Sequence, residues 1–403
     1  MNTVPALSER ATHEDAGQSG AAHSQLAANP HAAAPARVAA GTQAVGEHAA
    51  PGALMPGAQA TAPQLSATSC AGAAAVNSEQ PNRAHRLNIA LVAAIVAAAA
   101  LSVVAGKVWL PWNAWTLEDP RWLIIAELRL PRTVLATGIG AALGLSGAAM
   151  QGYLRNPLAD PGLFGISSGA AFGATLALFF DLNASALLLP ACALLGAVAS
   201  MMTLALLAGR SGSLIMFALA GMILSSITIA LTSLTISLSP TPFVASQIVN
   251  WIMGALTDRS WDDVRVTMPF ALVGAVLIAS TARSLDALTL GEQAARSMGV
   301  DQRRLQWLVV LGVGLCVGAS VAAAGIIGFV GLMVPHIVRP LVGGRPSATL
   351  LPSALGGALL VLLADSVVRL APSVSELRLG IAMAMLGGPF FLVMLVRMRS
   401  QLV

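Results

Sequence analysis

Lysine is nearly absent from this 403-residue chain, and the absence excludes one way of using ATP. Of its 22 basic residues one is a lysine, Lys107, and Val108 follows it. A P-loop needs the lysine of the motif G-x-x-x-x-G-K-[ST] to hold nucleotide phosphates, so the sequence contains no such site. If ATP drives the function of this protein, we expect another polypeptide to bind it.

Charge of either sign is also scarce. Charged residues make up 10% of the chain and hydrophobic residues 56%, whereas an ordinary soluble domain carries about 25% charged residues. The small net charge of +4 gives no reason to expect nucleic acid. Two of the three cysteines, Cys192 and Cys316, lie in apolar runs, so neither a disulfide framework nor a metal site is predicted. The composition predicts a membrane protein.

Residues 1–85 differ in composition from the rest. They contain 26 alanines, no Phe, Trp or Tyr, and five of the six histidines at irregular spacing. Without large apolar side chains this segment cannot offset the entropy lost on ordering, so we predict a disordered, Ala-rich N-terminal tail. Chance composition explains its histidines better than a metal site does. Residues 86–403 are predicted to form the membrane domain.

Charge-free stretches after residue 86 predict the membrane spans. A helix crosses the hydrocarbon core with about 20 residues, and two stretches are too long for one crossing. Residues 211–257 divide at 239–242, which leaves 243–256 as an interfacial segment, and residues 305–338 divide near Ala324 and Gly325. We therefore predict an all-α polytopic membrane protein with ten membrane helices, from the stretches 87–106, 133–154, 161–180, 182–209, 211–257, 266–282, 305–338, 346–364 and 379–396.

An even number of spans places both termini on the same side of the membrane. With the N-terminus inside, the inner segments hold twelve arginines and the outer segments eight basic residues. Because inner loops carry the excess of positive charge, both termini are predicted to lie in the cytoplasm.

Ionisable side chains are rare within the spans. Asp365 lies near the end of the ninth, and Arg369 follows at i+4, a spacing that allows an ion pair on one helix face. An ion-coupled carrier would place several acidic groups near the membrane centre. The sequence thus favours a subunit of a multi-protein pump. The alternatives are an ion-coupled secondary carrier and a membrane scaffold that transports nothing.

The charged loop 283–304 is predicted to form two short helices that break at Gly291 and Gly299. These helices would be amphipathic, and such a pair fits a lipid surface and a partner protein equally well. The apolar face consists of Leu288, Leu290, Ala294, Ala295 and Met298.

Motifs of small, polar and charged residues follow one another along residues 87–398. They are Arg129-Leu-Pro-Arg132, Gly147-Ala-Ala-Met-Gln151, Asn156-Pro-Leu-Ala-Asp-Pro-Gly-Leu-Phe-Gly165, Ser167-Ser-Gly-Ala170, Leu290-Gly-Glu-Gln-Ala-Ala295, Gly299-Val300, Gly328-Phe-Val-Gly331, Val334-Pro-His-Ile-Val-Arg339, Leu363-Ala-Asp365, Glu376-Leu377 and Gly387-Gly-Pro-Phe-Phe391. In this order they resemble the FecCD family of type II ABC importer permeases, whose members carry ferric siderophores, haem or cobalamin.

The resemblance implies the type II ABC importer permease fold and a set of partners. Two copies of the chain would form a homodimer around a central pathway in the bacterial inner membrane. Two ATPase subunits would use ATP and Mg²⁺, and a periplasmic binding protein would deliver the substrate. The chain itself would be a transport subunit and not an enzyme, and it would bind no cofactor.

The resemblance also implies roles for three sets of residues. Arg129, Arg132 and Arg369 match outer-face arginines that pair with glutamates of the binding protein; a lipid-phosphate anchor or a local ion pair is the alternative. The loop 283–304 matches the coupling helices that dock on the ATPases. Asn156 and Pro157 match a stretch that shapes the pathway, and the loop after Arg210 matches the inner gate; plain turns are the alternative for both. The coupling residues are Leu290, Gly291, Glu292, Ala295 and Gly299, and the gate residues are Ser211, Gly212 and Ser213.

Two further positions carry predictions. The family usually has proline after the Glu-Leu pair before the last span, and here that residue is Arg378. We expect the change to add positive charge to the outer face and to affect docking of the binding protein. His336, the one histidine of the membrane domain, is predicted to hydrogen-bond at an inner helix end and not to bind haem or a metal.

Overall fold

The computed structural model of the protein describes residues 67–104, 106, 119–182, 187–208, 214–371 and 377–400, and all of them belong to one unit, Leu65–Val403. Helices make up this part of the chain, and it contains no strand. The helices are α1 Ala67–Val104, α2 Leu130–Tyr153, α3 Ile166–Phe179, α4 Leu188–Ala208, α5 Leu214–Ser237, α6 Pro242–Ile252, α7 Trp261–Ser280, α8 Ala282–Leu288, α9 Glu292–Ser297, α10 Gln302–Ala324, α11 Val330–Val338, α12 Pro346–Leu370 and α13 Leu379–Ser400.

The predicted number of spans is confirmed. Eight helices are long and apolar enough to cross a membrane: α1, α2 with the π-helical turn Ile124–Arg129 before it, α4, α5, α7, α10, α12 and α13. Two shorter apolar helices, Ile166–Phe179 and Val330–Val342, bring the total to ten in the described part of the chain. The interfacial segment predicted at 243–256 contains the short helix α6, which begins after the N-cap Thr241.

The first helix begins earlier than the sequence indicates. Helix α1 starts at Ala67, so residues 67–85, which the composition assigns to the tail, are helical. Alanine has the highest helix propensity, and five of the first ten residues of α1 are alanines, which continue the helix of the first span backwards. Residues 1–66 lie outside the described residues.

Helix α2 lies in the core of the subunit and packs most extensively against α12. The contact is backbone to backbone: a Cβ on Gly140 would lie 2.8 Å from the Cα of Ala358, and one on Gly144 would lie 3.2 Å from the Cα of Gly357. The sequence motif Gly140-x-x-x-Gly144 therefore does what small residues do in membranes, which is to let two helices approach closely. Such contacts replace the hydrophobic driving force that lipid cannot supply.

The long stretch 305–338 is broken where the sequence predicts. Helix α10 ends at Ala324, Gly325 has a φ of 71°, and α11 begins only after Phe329, whose φ is 69°. The chain between the two helices pairs with the end of α6: Ile326 N–H donates to the Ile252 carbonyl at 3.3 Å, and Ala255 N–H, just after α6, donates to the Ala324 carbonyl at 2.8 Å. This pairing satisfies backbone groups that an unwound segment would otherwise expose inside a membrane.

Candidate functional site

A group of four charged side chains, here called the arginine cluster, lies at the end of the helices that also holds the α1 C-terminus. It consists of Arg129, Arg132, Asp365 and Arg369, and all four residues are buried. Asp365 accepts from Arg132 Nε at 3.0 Å to each oxygen and from Arg132 Nη2 at 2.9 Å. It also accepts from Arg369 Nη2 at 2.8 Å. The carboxylate therefore joins α12 to α2 through the Arg132 guanidinium and also pairs with Arg369 of its own helix.

The same arginines cover the C-terminal end of α1. Arg129 Nη1 donates to the carbonyls of Val103 at 2.9 Å and Val104 at 2.8 Å. Arg369 donates to the Ser102 carbonyl at 2.9 Å and to its hydroxyl at 2.8 Å. The last carbonyls of a helix have no partner within it, and the negative end of the helix dipole favours a cation there. The arginine cluster thus fixes where α1 ends against α2 and α12.

These positions bear on the prediction that the arginines dock a binding protein. The exposed fractions of Arg129, Arg132 and Arg369 are 7%, 8% and 5%, so most of each side chain is not available on the surface of the subunit. The sequence analysis gave a local ion pair between Arg369 and Asp365 as an alternative, and this ion pair is present. Docking stays a prediction, and the structure adds a second role for the same guanidinium groups.

The predicted coupling segment forms two short helices, α8 and α9, at the opposite end of the molecule. The predicted breaks are confirmed, because Gly291 has a φ of 102° and Gly299 a φ of 84°, values that favour glycine. The apolar side chains do not share one face, however. Leu288 and Ala295 are buried in the core, while Leu290 and Met298 are 69% and 53% exposed. Burial of Leu288 and Ala295 holds the two helices against the rest of the subunit. Leu290 and Met298 remain exposed, where they can contact lipid or another protein.

Two polar contacts hold these short helices to the spans. Asp286 of α8 accepts from the Ser347 N–H at 2.9 Å at the start of α12. Glu292, the first residue of α9, lies 3.6 Å from a guanidinium nitrogen of Arg155. Arg155 follows the end of α2 and has a φ of 51°, an uncommon conformation for a non-glycine residue. A movement of α9 would therefore reach the end of α2 directly, and a movement of α8 would reach the start of α12.

Asn156 and Pro157, predicted to shape the pathway, come directly after Arg155. The Asn156 side chain is exposed, and its Oδ1 accepts from the Leu158 N–H at 2.9 Å, which is the geometry of an Asx turn. The next acid, Asp160, caps a short 3-10 helix by accepting from Gly162 N–H at 2.9 Å. Burial raises the pKa of the Asp160 carboxyl, and the Gly162 N–H opposes this rise. The gate residues Ser211, Gly212 and Ser213 lie outside the described residues.

The sequence analysis assigned no role to Gln151, although this residue ends the motif Gly147-Ala-Ala-Met-Gln151. Gln151 on α2 is fully buried and donates through Nε2 to the carbonyls of Gly331 at 3.3 Å and Leu332 at 3.1 Å on α11. In a helix the Gly331 carbonyl would accept from the residue four positions on, but that residue is Pro335, which has no N–H. Gln151 thus supplies the missing donor. The signal in the sequence was a proline inside a predicted span.

The remaining predicted positions have local partners. Arg378 Nη2 donates to Asn250 Oδ1 of α6 at 3.3 Å, which links the start of α13 to the interfacial helix. The His336 ring stands edge-on to Phe390 with ring centres 6.3 Å apart. Within the described ranges, no three His, Cys, Asp or Glu residues come together in a way that could hold a metal ion.

The family to which the fold and these motifs belong is settled by comparison with known proteins. The family model described as the FecCD transport family matches residues 90–397. This chain belongs to the FecCD transport family. It is 35% identical over 318 residues to the Fe(3+) dicitrate transport system permease protein FecD of Escherichia coli (strain K12), which covers 78% of this chain and 99% of that protein.

Other FecCD relatives match a similar share of this chain. The vitamin B12 import system permease protein BtuC of Vibrio cholerae is 36% identical over 318 residues, or 78% of this chain and 95% of that protein. A solved structure described as an inward-facing conformation of a metal-chelate type ABC transporter has a TM-score of 0.71 and 35% identity, and covers 77% of this chain and 99% of that chain. This FecCD protein is therefore an ABC transporter permease, a multi-pass protein of the inner membrane with the type II fold.

Proposed function

We propose that this permease imports a metal chelate, either a ferric siderophore, haem or cobalamin, across the inner membrane. The observation that carries the proposal is the family match over residues 90–397, which leaves out only four residues at the start and six at the end of the predicted membrane domain. The substrate class is supported by relatives named for ferric dicitrate and vitamin B12 and by a solved relative of metal-chelate type. All three describe metal complexes that are too large for a narrow ion channel.

The energy for import is proposed to come from two partner ATPases that bind ATP and Mg²⁺. The chain has a single lysine and no P-loop, so it offers no site of that kind for nucleotide. Leu290 and Met298 expose apolar surface beside α9, where an ATPase would bind. A homodimer, a periplasmic binding protein and cytoplasmic termini complete the proposed assembly.

The wall of the pathway is proposed to run along α5, which begins directly after the predicted gate. Its exposed side carries hydroxyl groups, including those of Ser226 and Ser233. Each donates to a carbonyl of its own helix, Met222 and Ile229 respectively, at 3.0 Å. Polar side chains in membrane helices usually face protein or water and not lipid. Since these hydroxyl protons are already used, the wall would interact weakly with cargo and would let it pass.

The decisive experiment is reconstitution of the permease with its ATPase and binding protein in proteoliposomes. We expect ATP-dependent uptake of one of three labelled cargoes: a ferric siderophore, haem or cobalamin. Uptake by the permease alone, driven by a proton or sodium gradient, would instead establish the ion-coupled carrier. Uptake of none of the three, with a functional binding protein present, would refute the proposed substrate class.

Coupling is tested with a pair of matched glycine variants. Gly291 and Gly344 both have positive φ, 102° and 77°, and neither has an atom within 4 Å of an added Cβ, so alanine strains the backbone at both without a clash. We expect Gly291→Ala to lower transport per ATP hydrolysed and Gly344→Ala to leave this ratio unchanged. Equal ratios in the two variants would contradict the coupling role of the α8–α9 segment.

Docking of the binding protein is tested by separating charge from structure. Arg129→Gln removes a cation from the arginine cluster, whereas Asp365→Asn disturbs the same cluster and keeps every cation. If the arginines attract glutamates of the binding protein, Arg129→Gln weakens the affinity of folded permease for it in a pull-down, and Asp365→Asn, compared at equal amounts of folded protein, does not. If both variants weaken it equally, the cluster acts through the fold and the docking assignment fails.

A further inference from the structure

An apolar groove of about 610 Å³ opens between α2, α7 and α12. The groove is open because most of the side chains that line it on α2 and α12 are small. Larger side chains of α7 form its opposite wall. Along α7 the lining runs from Val264 to Ala275, a length of about 16 Å at 1.5 Å per residue. This is about half of the 30 Å hydrocarbon core, which is the depth of one leaflet. The lining includes Gly138, Ala142, Leu145, Leu272, Ala275 and Ala354.

One end of the groove lies near the start of α7 and has a charged residue at its edge. Arg265 lines this end, and its side chain is 75% exposed. Its Nη1 donates to Asp262 at 3.0 Å, in an exposed pair that contributes little to stability. Pro269, one turn further into the groove, has no N–H to donate to the Arg265 carbonyl. The mouth therefore offers a guanidinium donor and a backbone acceptor above an apolar slot.

Trp261, the first residue of α7, indicates that this end of the groove lies at a membrane interface. Its Nε1 donates to the Ala126 carbonyl at 2.8 Å, at the first turn of α7. Tryptophan is enriched where hydrocarbon gives way to headgroups, so Arg265, one turn deeper, lies within reach of lipid phosphates. Deeper still, Leu272 is 67% and Val276 61% exposed, as expected for helix surface that faces acyl chains.

We propose that this groove is a binding site for one phospholipid of the leaflet at the Arg265 end. An acyl chain fills the slot between α2 and α7, and the phosphate pairs with the Arg265 guanidinium, which suits phosphate because of its planar donor geometry. The site does not suit a second copy of this chain. A dimer axis along the membrane normal at this groove would set two grooves against each other, with both Arg265 side chains at the same depth, so neither groove would be filled.

The proposal is tested by lipid retention on the purified full-length permease. The protein is washed in detergent, incubated with dioleoyl phosphatidylglycerol or dioleoyl phosphatidylcholine, and the lipid that stays bound is counted by native mass spectrometry. We expect about one retained phosphatidylglycerol per chain. Ala275→Phe fills the groove and should abolish retention, whereas Val276→Phe, on the exposed side of the same helix, is the matched control and should retain the lipid.

The charged mouth is tested separately. Arg265→Gln should weaken phosphatidylglycerol binding about tenfold, as expected for loss of a charge-assisted hydrogen bond, with a smaller change for phosphatidylcholine. Retention that is equal in Ala275→Phe, Val276→Phe and the unchanged protein would overturn the proposal. A shift from dimer to monomer in Ala275→Phe, measured by light scattering, would also overturn it and identify the groove as a contact between copies.

Discussion

Replacement of Asp365 by asparagine is expected to destabilise the permease strongly. The carboxylate is fully buried and accepts from Arg132 and Arg369, whose side chains are 10% and 6% exposed. Asp365→Asn keeps the shape and removes the negative charge, so two guanidinium groups remain buried without their counter-ion. Breaking a buried ion pair from one side costs about 3–5 kcal/mol. Because asparagine retains one acceptor oxygen, we place the loss near the lower end of this range.

The loss is large enough to measure in micelles. A change of about 3 kcal/mol lowers the ratio of folded to unfolded protein more than a hundredfold. The assay is unfolding of the purified protein by sodium dodecyl sulfate in mixed micelles, followed by tryptophan fluorescence. Asp262→Asn is the control, because its partner Arg265 and Asp262 itself are mostly exposed, and it should cost less than about 1 kcal/mol.

The comparison of these two variants decides the argument. A loss of less than about 1 kcal/mol in Asp365→Asn would mean that the arginine cluster does not hold α1, α2 and α12 together. Asp365→Glu restores the charge on a longer side chain and should recover part of the stability. If the glutamate variant is as unstable as the asparagine variant, shape and not charge explains the loss.

Three further predictions follow from single contacts. Gln151→Leu leaves the Gly331 carbonyl without its side-chain donor and should cost about 1–3 kcal/mol in the same unfolding assay; an unchanged free energy of unfolding would contradict this role of Gln151. Gly147→Ala places a methyl group against the backbone of Gly331 and should cost about 1–3 kcal/mol of stability through overpacking. A thermal melt measures the loss, and an unchanged melting temperature would contradict the close contact of the two helices. Arg155→Ala breaks a half-exposed pair with Glu292, so stability should change by less than about 1 kcal/mol while transport per ATP falls severalfold in proteoliposomes; an unchanged ratio would exclude this contact from coupling.

Much of the fold follows from local properties of the sequence. The ten spans, the break at Gly325 and the turns at Gly291 and Gly299 were predicted because charge-free length and glycine conformation act over a few residues. The start of α1 was misplaced because an Ala-rich segment without aromatic residues is typical of disorder and also favours a helix.

The exposed or buried state of the candidate site residues could not be predicted in the same way. Arginines at the ends of spans are typical of a surface, and the sequence analysis placed Arg129, Arg132 and Arg369 on the outer face. The structure buries them because Asp365, 233 positions after Arg132, and the end of α1 meet them in space.

The sequence by itself determined that this is a protein with ten membrane helices and without a P-loop, since both conclusions need only composition and the order of residues. The tertiary structure alone decided which polar groups are satisfied inside the protein. Gln151 reaches a carbonyl 180 positions away, and the arginines reach the last carbonyls of α1. The physical reason is that lipid offers no hydrogen bonds, so each buried polar group must find its partner among distant segments that packing brings together.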